Sequence, residues 1–95
     1  MAMNDVNIPI FGIVTNPSVR SGRPIVEGTT IRVMDIVALY RFKARTPDDI
    51  ASDYGLSLAQ VHTALAYYFA NRSKVDADLE AERHAIETAR GVAGG

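Results

Sequence analysis

The stretch Ala51-Ser-Asp-Tyr-Gly55-Leu-Ser-Leu-Ala-Gln-Val61 decides the reading of this chain. A small residue, a glycine four positions on and a branched apolar residue six beyond it is the spacing of a helix-turn-helix. Ala51 lets two helices approach closely. Gly55 can take the positive φ that ends a helix sharply. Val61 buries a stiff side chain that fixes the second helix onto the first.

The flanks agree. Thr46 followed by Pro47, Asp48 and Asp49 is a helix start, with an N-cap hydroxyl, proline at the first position and carboxylates at the positive end of the dipole. That helix is expected over Thr46–Asp53. Ser57 caps a longer one, Ser57–Asn71, with Leu58, Val61, Leu65, Tyr68 and Phe69 on its apolar face. Upstream, Val33, Ile36, Val37, Leu39 and Tyr40 recur at helical spacing and predict a first helix to about Lys43.

Further out the pattern weakens. Ile8–Val14 is rich in β-branched residues and precedes the turn signal Asn16-Pro17-Ser18, so it reads as a short strand. A second extended piece is expected around Pro24–Val26, and a third at Thr29–Arg32. A lone hairpin is marginal, so these strands need the helices or a second subunit beside them. Ser73–Asp76 reads as a cap for a fourth helix over 74–90, ahead of a frayed tail, 91–95. Val75, Leu79 and Ile86, with Ala85 and Ala89, make a thin stripe that Glu82 and Arg83 interrupt. Such a helix either lies solvated on its own domain or serves as a protein-binding arm. The expected architecture is one mainly α domain, 1–95: a β-rich segment (8–32), a helix-turn-helix core (33–71) and a C-terminal helix.

Ninety-five residues allow one modest core. The absence of cysteine excludes a disulfide framework and thiolate metal sites, and fits a reducing cytoplasm. The longest apolar run, Ala64–Ala70, is far short of the ~18 residues that span a bilayer. Met1–Asp5 lacks the positive region of a secretory signal. Net charge is −1, but residues 1–45 carry six Lys or Arg against three acids, and residues 46–95 four against eight. The front half is suited to an anion and the rear half to something else, unless the scatter is chance.

Gly22-Arg-Pro24-Ile25-Val26-Glu-Gly28-Thr29-Thr-Ile31-Arg-Val33, followed by Thr46-Pro-Asp-Asp-Ile50, Tyr54, Leu58 and Ala64-Leu-Ala-Tyr-Tyr68, resembles the small bacterial family DUF433, often described as VapB-like antitoxins. The resemblance runs from Gly12 to Leu79. It implies a trihelical, homeodomain-like DNA-binding core with a short N-terminal β-hairpin. It also implies a partner, a PIN-like toxin ribonuclease that the antitoxin neutralises while repressing the shared promoter. Where the family carries arginine directly after the Gly-Thr pair this chain has Thr30, with Arg32 two residues on.

On that fold the exposed N-terminal part of the third helix meets base edges. With Leu58, Val61 and Leu65 inward, Ser57, Ala59, Gln60 and Thr63 point outward, and Tyr67 and Asn71 follow. Gln60 suits adenine, and Thr63 a thymine methyl or a phosphate. Arg41, Lys43 and Arg45 gather after the first helix, where phosphate contacts arise, although a helix C-terminus favours cations anyway. The third helix carries no Lys or Arg before Arg72, so DNA binding is expected to be weak or to need a homodimer. The partner is expected on Val75, Leu79, Arg83, Ile86 and Arg90. Tyr67, Tyr68 and Phe69 read as core or dimer packing, His62 as a half-buried packing residue, and His84 as a surface neighbour of Glu80. Neither histidine has zinc-site spacing. No nucleophile stands with a base, and Gly22 and Gly28 lack the spacing and lysine of a phosphate loop, so no enzyme and no cofactor are expected. The alternative to a DNA-binding autoregulator is a protein-interaction module with the same fold that never touches DNA.

Overall fold

The computed structural model describes residues 7–94, with side chains through residue 91. The signal-peptide reading of Met1–Asp5 lies outside the described residues. The elements, in chain order, are β1 (Ile13–Val14), β2 (Ile25–Val26), α1 (Val33–Phe42), α2 (Pro47–Tyr54), α3 (Leu58–Ala70) and α4 (Arg72–Gly94). A 3-10 turn at Arg20–Gly22 lies between the strands. The fold is mainly helical with a short antiparallel hairpin, Ile13 opposite Val26 and Val14 opposite Ile25.

The hairpin is smaller than its sequence suggests. Only Ile13–Val14 pairs, because residues 7–12 run across α3 instead. Thr29–Arg32 contributes one bridge, Ile25 to Arg32, and no strand. Gly28 at φ 82° turns the chain. The Thr29 hydroxyl donates to the Val26 carbonyl and accepts from the Ile31 N–H, satisfying the turn locally.

α2 and α3 form the expected pair of short helices. Thr46 and Asp49 make a reciprocal cap at the start of α2. Gly55, at φ 67°, ends α2 in the left-handed region. The Leu56 N–H then donates back to the Ala51 carbonyl at 3.0 Å. Ser57 and Gln60 repeat the reciprocal cap on α3. Ile36, Val37, Ile50, Val61, Ala64 and Tyr68 are fully buried where α1, α2 and α3 meet. Each large apolar side chain sealed this way stabilises the fold by roughly 1.5–3 kcal/mol.

α4 starts earlier and ends later than expected. Asn71 joins it to α3, and Ser73 is inside the helix instead of capping it. Residues 91–94, expected as a frayed tail, continue the helix. Its first half is pinned: Val75 is 1% exposed, Arg23 pairs with Asp78, and Arg32 donates to Glu82 at 2.9 Å. From Arg83 to Gly91 every residue is exposed.

Candidate nucleic-acid and partner-binding surfaces

The outward face expected of α3 is largely occupied. Tyr67, 2% exposed, is core as its aromatic run suggests and not an outward position, and Asn71, 6% exposed, does not face solvent either. The N-terminal segment covers them. The Tyr67 hydroxyl donates to Asn7 Oδ1, and burial raises its pKa. The Asn71 amide brackets Ile8, with Nδ2 donating to its carbonyl at 2.8 Å and Oδ1 accepting from its N–H at 2.6 Å. Gly12 passes so close to Thr63 that a Cβ there would lie 3.3 Å from the threonine methyl. Residues 63, 67 and 71 are spaced by one helical turn each, so a single extended segment reaches all three.

The remaining polar candidates are also engaged. Gln60 Oε1 accepts from the Ser57 N–H at 2.8 Å, which ties up the amide assigned to adenine. The Thr63 hydroxyl donates to the Ala59 carbonyl at 2.8 Å. What α3 does present is mostly apolar and uncharged: Leu58, Ala59, His62, Ala66 and Phe69. Leu58 and Phe69 were expected inward and are 43% and 53% exposed. His62, expected half-buried, is exposed. The reason is the same in each case. The N-terminal segment claims one flank of α3 and rotates the solvent-facing stripe toward the other.

Two of the three clustered cations serve the fold. Arg41 donates to the Tyr68 hydroxyl at 2.9 Å, and that hydroxyl donates to Asp76 at 2.9 Å, tying α1, α3 and α4 at one point. Arg45 donates to Asp53 at 2.7 Å, and this hydrogen bond raises its pKa above the ordinary arginine value. Lys43 is exposed and makes no ion pair among the described residues. Arg32 bridges Asp35 and Glu82. Its hydrogen bond to Asp35, with a smaller one to Glu82, raises its pKa against the opposing effect of burial. Arg32 therefore staples α1 to α4. The Thr30 carbonyl accepts from Arg20 at 3.0 Å, and Thr30 itself is exposed.

The partner-binding candidates divide. Val75 is core and unavailable to a partner. Leu79, Arg83 and Ile86 line a groove of about 580 Å³ between α1 and α4, opposite Ala38 and Phe42. Phe42 and Ile86 are 61% and 51% exposed, large apolar side chains on a wet surface. Sequence periodicity marks Ile86 but not Phe42, whose position beside Ile86 depends on the packing of α1 on α4. Arg83 is clamped by Glu80 and Glu87. Its hydrogen bond lowers the pKa of Glu80, and His84 nearby adds a smaller effect in the same direction. Arg90 is exposed on the projecting end, without an ion pair among the described residues. No cluster of His, Asp and Glu able to hold a metal occurs among the described residues.

These elements, a short hairpin and a trihelical core followed by a long helix, define the class. The family model for proteins of unknown function DUF433 matches residues 13–68, and the chain belongs to that family. It is similar to a DUF433 member protein from Anabaena variabilis ATCC 29413, whose crystal structure is known at 2.00 Å resolution. The two share 27% sequence identity at a TM-score of 0.66, over 73% of this chain and 68% of the other. No curated protein matches the chain. No helix among the described residues is long and apolar enough to cross a membrane.

Proposed function

We propose that this chain is an antitoxin-like regulator that acts first by binding a protein, in the cytoplasm and without catalysis of its own. The groove between α1 and α4, continued by the exposed half of α4, would hold a PIN-like ribonuclease of the kind the family resemblance implies. One observation carries the reading: two large apolar side chains, Phe42 and Ile86, stand exposed beside one groove. An apolar groove beside a helical arm suits a partner helix or strand. The uncharged face of α3 favours protein contact over phosphate contact.

The test is co-purification with the product of an adjacent reading frame of PIN type, with its ribonuclease activity measured. Truncation after Arg83 and Phe42→Asp are each expected to lower affinity tenfold or more and to release the nuclease. Cutting at Ser73 is a poor test, because it removes Val75 from the core and Asp76 from Tyr68. Full inhibition by the truncated chain would refute the proposal.

DNA binding is a second reading, favoured by the capped α2–Gly55–α3 turn and by the exposed Lys43 that follows α1, unpaired among the described residues. It would rest on phosphate contacts and a dimer, with little direct base reading. Anisotropy of a labelled promoter fragment at low and moderate salt measures it. Affinity is expected to be low and to fall steeply with salt. Binding that discriminates between promoter sequences through Gln60 would overturn this ordering.

A further inference from the structure

We infer that a second copy of this chain occupies the α1–α4 groove, its α4 lying antiparallel along the first copy's α4, so that self-association and partner capture compete for one surface. The competition rests on the partner-binding reading above. The self-association does not.

The projecting half of α4 is the first reason. From His84 to Gly91 every residue is exposed, and only Ile86 borders the groove, itself 51% exposed. A helix of this length is marginal in water unless a tertiary contact holds it. Within its own chain it keeps Arg83 paired to Glu80 and Glu87, side-chain pairs that contribute only a little to holding it. Ile86 and Ala89 lie one turn apart on the projecting half and offer an apolar edge.

Charge complementarity is the second reason. A two-fold dimer needs a surface that complements itself. With the axis beside residues 84 and 85, an antiparallel pair sets the partner's Ile86 over the aliphatic stem of Arg83. The partner's Arg90 then comes to Leu79 and Glu80, and Glu80 in turn faces the partner's Ala89 and Arg90. Asp76 is already paired with Arg41 and Arg72, but Glu80 and Glu87 share the single cation Arg83, which leaves a surplus negative charge there, while Arg90 is without an ion pair among the described residues. Each copy therefore brings its Arg90 to the other's Glu80. Parallel pairing brings Arg83 to Arg83 and lacks this match.

Area sets the strength. α4, 23 residues long, spans about 35 Å, and a single helix pair with the Phe42 edge buries less than the ~1,600 Å² of a stable complex. The dimer is thus weak, and a partner with a larger footprint displaces it.

Sedimentation equilibrium of the full chain alone, across roughly 1 µM to 1 mM, tests the inference. The wild type is expected to pass from monomer to dimer. Ile86→Glu and Phe42→Glu, both at exposed positions, should each raise the dissociation constant tenfold or more while leaving the circular dichroism and thermal melt unchanged. Arg90→Glu should weaken association, and adding Glu80→Arg to it should restore the dimer. A monomer throughout the range, or a dimer indifferent to Ile86→Glu and Phe42→Glu, overturns the inference. A monomer that still captures the ribonuclease sinks this inference and spares the proposed function; a dimer that captures nothing does the reverse.

Discussion

α3 and α4 are neighbours in sequence, separated only by Asn71, yet they are held by different physics. α3 has no charged residue and is wedged on two sides, with α1 and α2 against Val61, Ala64, Leu65 and Tyr68 and the N-terminal segment against Thr63, Tyr67 and Asn71. α4 is rich in charge. It is stapled through Val75, Asp76, Asp78 and Glu82, and then runs free. A helix packed on two sides has little left to offer a ligand. A helix packed along half its length presents the rest. The helix expected to read DNA is therefore the more occupied of the two, and the helix that looked incidental carries the accessible surface.

The largest expected effect tests the inner side of that contrast. Ile36→Ala should cost about 2–5 kcal/mol in urea denaturation, since it opens a cavity where the first three helices meet. Ile86→Ala, on the free half of α4, should stay within about 0.5 kcal/mol. Equal costs would mean that the end of α4 is packed after all. Next comes Asn71→Ala, which removes the amide bracketing Ile8. A loss of about 1–3 kcal/mol is expected, together with faster hydrogen exchange at the Ile8 amide. Unchanged exchange would separate the N-terminal segment from α3.

Gly55→Ala is a smaller perturbation. A Cβ there meets open space, so only the left-handed backbone is penalised, by about 1 kcal/mol, read as a lowered melting temperature. The smallest effect concerns the caps. The N–H of Thr46, followed by its hydroxyl, lowers the pKa of Asp49. A carboxylate with a depressed folded-state pKa contributes stability that is complete above the ordinary carboxylate range and is lost as pH falls through its folded pKa. Asp49→Asn should flatten that acid-side decline in α2, and an unchanged profile would remove the cap from the account.

Much of the fold was legible in local sequence. Thr46-Pro47, Gly55 and Ser57 are short-range devices whose geometry is determined within four residues, and all three act as expected. The faces of α3 were not legible, because periodicity locates an apolar stripe without saying what lies against the opposite side. Asn71 looked solvent-facing until Ile8 was seen bracketed by its amide. Phe42 is the parallel case on α1, since no local pattern distinguishes an exposed phenylalanine beside a groove from one in a core.

Sequence alone determined the helix order, the turn at Gly55, the absence of cysteine chemistry and the family resemblance, since these depend on local backbone preference and composition. Tertiary structure decided which cations are spent on the fold, which flank of α3 is sealed and where two apolar side chains meet across a groove. Those outcomes hang on contacts between residues up to 63 positions apart, such as Ile8 with Asn71, and no local window contains them.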